Sequence, residues 1–433
     1  MKRIYFFMLI ALGVLFFLAW HYHQEHLKEA ALVVEVVDPV EAEEQSAPHR
    51  IYEKMTPLLT NSNTLRGDLF KPVEDRAFGT QIIRVTDIAT QPSRFLVARV
   101  QFWNSDASLI RLGHHKIFDA KSFDYLGKLP GRMYEVKWSH TNPDIIYALY
   151  HGFKKGAPKS RINPNNDFLF FEIDVRHGFK RRLIAIFPRS IYSDFKIGPW
   201  EGNIDLNDRY VVFSAKKVGS DHLVVILYDI QAQKEVAHKE FTQIQWSNQR
   251  GKNQHDWISI SPLGNSILHA KSSAIPADFS TFTIEQYDLN FKPIRQLSPV
   301  SEHGDLGLDK EGKEVYVQFR NRENKHGIYA FSLDNNSVIP LLGDNSYGGG
   351  HISCQNYQRQ GWCYVSTKGK NYREVFALKL DGSGEVEHFA QTHGIKGSSE
   401  SSKGTPSPDG TQVLFESTWG VKNRTEAYIA RRK

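Results

Sequence analysis

The sequence predicts an all-β protein, a seven-bladed β-propeller, because seven tight turns recur and each leads into a short apolar strand. The turns are centred near Asp106, Asp144, Asp208, Gly264, Gly312, Gln360 and Gly410. The last three intervals are about 48 to 50 residues, the period of a four-stranded blade. Aromatic residues make up 12% of the chain, which favours strands over helices. A large β-sandwich is the alternative architecture.

The N-terminus predicts either a signal peptide or a membrane signal-anchor over residues 1–23. Lys2 and Arg3 precede an uncharged apolar run, Ile4 to Trp20, and no small-x-small cleavage pattern follows. The anchor is favoured for that reason, and the positive-inside rule places the rest of the chain outside the cytoplasm. The protein is therefore expected to be exported. It would be periplasmic and membrane-anchored, or secreted if the segment is cleaved.

Residues 24–76 are predicted to be a tether, and residues 77–433 the propeller. Each unit offers a third strand that ends at a turn, where aspartate bonds its own downstream backbone. These aspartates are Asp119, Asp174, Asp229 and Asp288. The last unit ends soon after its third strand, near Ala430, so residues 81–86 are predicted to supply its outer strand and close the ring.

Charge and cysteine content limit the partners and the compartment. The net charge of +6 suits an acidic partner, and no motif supports nucleic acid. An acidic polysaccharide or oligosaccharide is the expected ligand, with membrane contact only through the N-terminal segment. The two cysteines, Cys354 and Cys363, flank a predicted hairpin turn. They form a disulfide, remain buried free thiols, or ligate a metal together with His351.

Histidine, arginine, lysine and aspartate are predicted to gather on one face of the propeller. Inner strands begin on this face, and the connections from second to third strands return to it. The starts of the inner strands carry Glu201, Asn203, His255, Asp256, His303, Asp305, His351 and Lys403. The return connections carry His114, His115, Lys216, Lys217, Arg320, Arg322, Lys368 and Trp419. The seven tight turns lie on the opposite face and are interpreted as structural.

Two chemistries suit these groups. The first is a divalent metal, zinc, manganese or calcium, held by His303, Asp305 and His351. The second is β-elimination on an acidic sugar, which needs a cation, a base and an acid.

For elimination, Arg320, Arg322 or Lys217 is predicted to neutralise the carboxylate, and His115 or His255 to act as the base. Tyr192 would protonate the leaving group. The remaining predicted contacts to substrate are His114, Glu201, Asn203 and Trp419. No Gly-x-Ser-x-Gly elbow supports a serine hydrolase.

Several phrases resemble bacterial seven-bladed propeller proteins that include oligogalacturonate lyases and ulvan lyases. They are Trp103–Asp106, Trp200–Asn203, Asp256–Pro262, Glu302–Asp305, Gly349–Ser353 and Pro406–Gly410. The resemblance covers roughly residues 77–430. It implies elimination on uronic acids in a canyon on one face, with His115, Tyr192 and Arg320 as the positional matches to a His, Tyr and Arg group. The chain lacks the closely spaced histidine pair with which oligogalacturonate lyases hold their metal.

The sequence thus supports two hypotheses of different classes. The first is an exported polysaccharide lyase that acts on an anionic, uronate-containing, ulvan-like glycan. The second is a membrane-tethered propeller that binds glycan or protein without catalysis.

Overall fold

The computed structural model describes most of the chain after residue 63. The described ranges are 64–87, 98–113, 115–131, 133–151, 163, 165–199, 201–246, 255–272, 282–298, 303–322, 325–343, 350–367, 373–394, 403–421 and 425–432. Within these ranges the regular structure is entirely β, and no helix could cross a membrane. The predicted signal or anchor segment, residues 1–23, lies outside them.

The described residues form a seven-bladed propeller, as the sequence predicts, with each blade an antiparallel sheet. The first three blades along the chain contain β3 (Leu109–Leu112), β4 (Lys116–Asp119), β5 (Tyr125–Lys128), β6 (Met133–Trp138), β7 (Ile145–Tyr150), β8 (Phe168–Asp174), β9 (Lys180–Phe187), β10 (Tyr192–Lys196), β11 (Tyr210–Lys217), β12 (His222–Asp229) and β13 (Lys234–Gln245). The innermost part of the first blade is a single bridge from Trp103 to Ile110.

The next three blades have four strands each, in the order in which they occur along the chain. They contain β14 (His255–Ile260), β15 (Ile267–Ser272), β16 (Phe282–Tyr287), β17 (Pro293–Ser298), β18 (Gly304–Leu308), β19 (Glu314–Arg322), β20 (Lys325–Ser332), β21 (Val338–Gly343), β22 (Gly350–Ser353), β23 (Trp362–Thr367), β24 (Glu374–Lys379) and β25 (Val386–Gln391).

The seventh blade joins the two ends of the propeller. It contains β1 (Pro72–Asp75), β2 (Thr80–Arg84), β26 (Thr405–Pro406), β27 (Gln412–Ser417) and β28 (Glu426–Arg432). Strand β2 pairs antiparallel with β28, so the predicted closure by an N-terminal strand is confirmed. Strand β1 adds a fifth, outermost strand, which the sequence analysis had placed in the tether.

A buried carboxylate fixes this closure. Glu426 accepts two hydrogen bonds from Arg66, at 2.8 and 2.7 Å, and one from Arg84 at 3.2 Å. The hydroxyl of Tyr428 donates to the same carboxylate at 2.9 Å. Because Arg66 and Arg84 precede the first blade while Glu426 lies in the last strand, these contacts tie the two ends of the propeller together.

Aromatic and aliphatic side chains fill the space between neighbouring blades. Between the second and third blades, for example, Phe195 stacks on Phe187 at 4.2 Å between ring centroids and lies 5.1 Å from Phe213. Because a blade is covered by a neighbour on both faces, its middle strands are apolar on both sides. Strand β12 is buried along almost its whole length for this reason.

Aspartates end the third strands as predicted. The carboxylate of Asp119 accepts the backbone N–H groups of Lys121 and Ser122 at 2.9 and 2.8 Å. Asp174, Asp229 and Asp288 accept downstream backbone N–H groups in the same way. Each aspartate thereby accepts hydrogen bonds from backbone N–H groups of the turn, which would otherwise bond to water.

The two cysteines are bonded to each other in the structure. Cys354 and Cys363 have Cα atoms 4.4 Å apart, and both side chains are buried between the fifth and sixth blades. The bridge closes a short loop around the tight turn of the sixth blade.

Replacing both cysteines by alanine should lower the free energy of unfolding by about 2–3 kcal/mol, because the bridge restricts a short loop in the unfolded chain. Urea unfolding of the full chain, with and without the double substitution, measures this difference. Equal midpoints for the two proteins would show that the bridge contributes nothing to stability.

Candidate functional site

Strand pairing defines two faces of the propeller. At the upper face the inner strands begin, and there His255 of β14 pairs with Lys271 near the end of β15, while Gly350 of β22 pairs with Thr367. The lower face carries the tight turns, among them those at Ser105 and His140. The predicted grouping of inner-strand starts with the ends of second strands is therefore correct.

An irregular inner strand brings Glu201 to the axis. In the third blade, residues 197–203 stand opposite only Val212 and Phe213, because Lys196 pairs with Ser214 and Ile204 bridges to Val211. The extra residues turn at Gly198, whose φ of +50° suits glycine. A Cβ atom at Gly198 would lie 1.8 Å from the backbone oxygen of Ile258, so only glycine fits against the next blade.

A buried arginine faces Glu201 across the axis. The guanidinium of Arg99 lies 2.8 Å from the Glu201 carboxylate and 4.3 Å above the ring of Trp257. Burial disfavours its charge, but Glu201 and neighbouring acidic groups keep the pKa of Arg99 raised. Arg99, Glu201, Asp256 and Trp257 are called the axial site below.

Asp256 is the carboxyl group of this site with the most strongly altered titration. Burial of its carboxyl group by the surrounding protein, followed by the like charge of Glu201, raises its pKa to about 7, although the residue as a whole is exposed at the upper face. Arg99 acts in the opposite direction but does not offset these effects. A carboxyl group with a pKa near neutrality can accept and release protons at physiological pH.

Below the axial site the ionisable groups are buried. Burial raises the pKa of Asp305 to about 6, even though its carboxylate accepts hydrogen bonds from Cys354 N and Gln355 Nε2 at 2.8 and 2.9 Å. Burial likewise lowers the pKa of Lys137 to about 8. Lys137 donates a long hydrogen bond, 3.4 Å, to the side-chain oxygen of Asn203.

The predicted substrate contact Asn203 links several blades. Its side-chain N–H donates to the backbone oxygen of Arg99 at 3.1 Å, and its backbone N–H donates to Ser259 Oγ at 3.0 Å. The residue therefore holds the irregular inner strand in place beside the axial site.

The structure brings two of the three predicted metal ligands together. The rings of His303 and His351 lie 4.2 Å apart at the upper face, whereas the carboxylate of Asp305 is engaged with Cys354 and Gln355. No three His, Cys, Asp or Glu side chains among the described residues are placed to hold a metal ion. The residues that are described thus do not fit the predicted metal site.

His255 lies inside the protein and not on the open face. It is 5% exposed, its Nδ1 lies 3.0 Å from Nε2 of His269, and its ring stacks on Trp246. Burial lowers the pKa of His255 to about 3, so the ring is neutral across the physiological range. Contact with substrate or proton abstraction by His255 has no support in this geometry.

The three positional matches to a His, Tyr and Arg group lie in three different blades. His115 follows β3 in a turn with φ of +64°, and its ring nitrogens lie 3.3 Å from Arg111 Nη1 and 3.2 Å from the backbone oxygen of Met133. Tyr192 begins β10 and packs edge-on against Phe195, and burial raises its pKa.

The third match, Arg320, lies near the end of β19, with its guanidinium 5.7 Å from the ring of Tyr329. The contacts described for these three residues are all with residues outside the trio. Their joint action on a substrate therefore stays a prediction.

The remaining predicted contacts have varied surroundings. Lys217 pairs with Glu240 at 2.7 Å on the outer part of the third blade. Trp419 stacks on Tyr428 at 4.6 Å and lies 4.3 Å from His393. His114 and the side chain of Arg322 lie outside the described residues.

Sequence reasoning did not find Arg99, Glu135 and Lys137. All three are buried charged residues in the innermost segments of the first two blades. The signal was the alternation in Met133–Trp138, where Glu135 and Lys137 interrupt an apolar strand at every second position. Arg99 and Gln101 show the same spacing before Trp103.

Comparisons with known proteins give the fold. An oligogalacturonate lyase from Vibrio parahaemolyticus matches at 10% identity and a TM-score of 0.55, covering 86% of this chain and 98% of that one. An oligogalacturonate lyase in complex with manganese matches with the same coverages, 12% identity and a TM-score of 0.56. TolB from Acinetobacter baumannii matches over 75% of this chain and 78% of its own at 13% identity, with a TM-score of 0.38. No family model and no curated protein matches the sequence.

Proposed function

We propose that this protein is a polysaccharide lyase that cleaves an anionic, uronate-containing glycan by β-elimination at the upper face. The observation that carries the proposal is the axial site, where Arg99 pairs with Glu201 at 2.8 Å and acts electrostatically on Asp256, a carboxyl group whose pKa is raised to about 7. Structural likeness to two oligogalacturonate lyases agrees with an acidic saccharide as substrate.

The elimination requires a base, a counter-charge and an acid. The base removes the proton beside the uronate carboxylate, a carbon–carbon double bond forms, and the glycosidic C–O bond breaks as the leaving oxygen takes a proton. Asp256 is the group suited to remove the proton, because it is exposed and has a pKa near the working pH. Arg99, which pairs with Glu201 in the same site, supplies positive charge and so favours the negative charge that develops on the substrate.

The leaving oxygen needs a proton donor on the same face. His303 and His351 lie side by side where the inner strands of the fifth and sixth blades begin. A protonated imidazole can donate a proton near neutral pH, and His303 and His351 are two described histidines that lie together at this face. No step of the proposed reaction uses a metal ion. We further propose that the protein acts outside the cytoplasm, on the basis of the basic start and apolar run of residues 1–23.

Incubation of the full-length chain with acidic glycans tests the proposal. The panel includes ulvan and pectate, with neutral polysaccharides as controls and with divalent metal both added and omitted. Elimination creates a conjugated unsaturated uronate, so ultraviolet absorbance should rise only with uronate-containing substrates. Absence of any rise across the panel would reject the lyase and favour a propeller that binds glycan or protein without catalysis.

A further inference from the structure

An exposed patch on the outer rim of the propeller combines aliphatic and basic side chains. It spans β5 and β9, the outer strands of the first two blades. Phe179, which directly precedes β9, lies against Gly127 of β5, where a Cβ atom would collide with its ring. The two outer strands therefore meet at this point. The exposed residues next to it form what is called the rim patch below: Leu126, Lys128, Lys180, Arg181, Leu183 and Ile186.

The register of β9 places three of these side chains on one side of the strand. Arg181, Leu183 and Ile186 pair with three alternate residues of β8, which are Ile173, Phe171 and Leu169. All three β8 residues pack into the core between the first and second blades, so their partners on β9 point to the same side. Leu183 and Ile186 lie beyond that core and are 43% and 53% exposed. The strand thus presents a cation and two aliphatic groups together to solvent.

The basic residues of the rim patch have no acidic partner among the described residues. Lys128, Lys180 and Arg181 are exposed and form no ion pair there. The guanidinium of Arg181 lies instead 5.6 Å from the ring of Phe171. Neither β5 nor β9 contains an aspartate or a glutamate. The charge of the patch is therefore positive and uncompensated.

The outer strands of other blades lack this combination. Strand β13 carries Glu235 and Glu240 among its basic residues, and β25 carries Glu387. Strands β13, β17 and β21 each expose one large apolar side chain among the described residues, whereas β9 exposes two. The rim patch is therefore a local feature of the first two blades and not a general property of the rim.

We propose that the rim patch docks the propeller on the surface of an anionic lipid bilayer. Binding at such a surface grows with the apolar area that enters the headgroup region and with attraction between basic side chains and anionic lipids. Leu183 and Ile186 supply the first contribution, and Lys180 and Arg181 supply the second. The apolar run from Ile4 to Trp20, which predicts a membrane anchor, would keep the propeller close to such a surface.

Other occupants fit the rim patch less well. A soluble acidic glycan would pair with the cations but leave Leu183 and Ile186 in water. A second copy of the patch would bring positive charge against positive charge, which opposes association. The proposal does not rest on catalysis at the upper face, because the patch lies on the outer strands.

A polarity-sensitive fluorophore on an introduced cysteine tests the docking. The full-length Ile186→Cys chain is labelled and reconstituted in vesicles of phosphatidylcholine, with or without phosphatidylglycerol. Ile294→Cys is the matched control, because Ile294 lies on the outer strand of the fourth blade and is also 53% exposed. The native cysteines do not take the label, since they are buried and bonded to each other.

We expect the emission of the Ile186→Cys label to shift to shorter wavelength only in vesicles that contain phosphatidylglycerol. The Ile294→Cys label should emit alike in both kinds of vesicle. Adding Lys180→Ala and Arg181→Ala should lower the ratio of docked to undocked protein by about 25-fold, since each basic side chain near an anionic surface contributes about fivefold. Removing two exposed lysines elsewhere, by Lys292→Ala and Lys313→Ala, should leave that ratio within about twofold.

Equal emission of the Ile186→Cys label in both kinds of vesicle, or an equal shift of the Ile294→Cys label, would overturn the proposal. A shift in neutral detergent that grows with protein concentration would assign the patch to a second copy of the chain. An equal shift caused by soluble pectate in that detergent would assign it to a glycan. Either of these results would also overturn docking on lipid.

Discussion

Replacing Asp256 by asparagine should reduce the elimination rate by about 10²–10⁴-fold, the usual contribution of a general base. The substitution keeps the shape of the side chain but removes its ability to accept the substrate proton. Ultraviolet absorbance on the most active acidic glycan gives the rate, and KM should change far less than kcat.

Asp221→Asn is the matched control for Asp256→Asn. Asp221 lies in the turn between β11 and β12 at the upper face, is exposed and pairs with Lys216. Its replacement should leave the rate within about twofold of the wild type, since exposed ion pairs contribute little. An Asp256→Asn protein that retained full turnover would assign the base to another residue.

Replacing Glu426 by alanine should destabilise the propeller by about 3–5 kcal/mol, the cost of leaving buried partners without their counter-charge. Arg66, Arg84 and Tyr428 all donate to this carboxylate, and two of these donors belong to the segment that closes the ring. Urea unfolding of the full chain measures the loss.

A second arginine–carboxylate pair provides the comparison for Glu426→Ala. Glu172 on β8 accepts from Arg182 on β9, where the arginine side chain is 52% exposed. Glu172→Ala should therefore cost no more than about 1 kcal/mol. Similar losses of unfolding free energy in Glu426→Ala and Glu172→Ala would mean that the buried contacts of Glu426 stabilise the closure no more than an exposed ion pair does.

The fold was predictable from sequence because its signals are local and repeated. Each tight turn, each aspartate such as Asp119, and each apolar strand can be recognised within about ten residues. Closure by β2 followed from counting strands, because the last unit lacked an outer strand. Strand β1 was missed, since Pro72–Asp75 has little apolar character and is an outer edge strand.

The candidate site was only partly predictable, because bulges decide which way inner-strand side chains point. The pairing shifts between Met133 and Glu135, between Tyr192 and Asp194, and between His255 and Trp257. A shift of one residue moves a side chain to the other face of its strand. Simple alternation from the strand start therefore misplaces residues such as His255, which is buried against His269 while its neighbour Asp256 is exposed.

The dependence of the wild-type elimination rate on pH tests the central claim most directly. Asp256 must be deprotonated to act as the base, and its pKa is raised to about 7 in the folded protein. The rate should therefore rise as the pH increases towards this value, whereas loss of the donor proton from the His303 and His351 pair would lower the rate at higher pH. A rate that stayed constant or fell as the pH rose from about 5 to about 6.5 would contradict the assignment of Asp256 as the catalytic base.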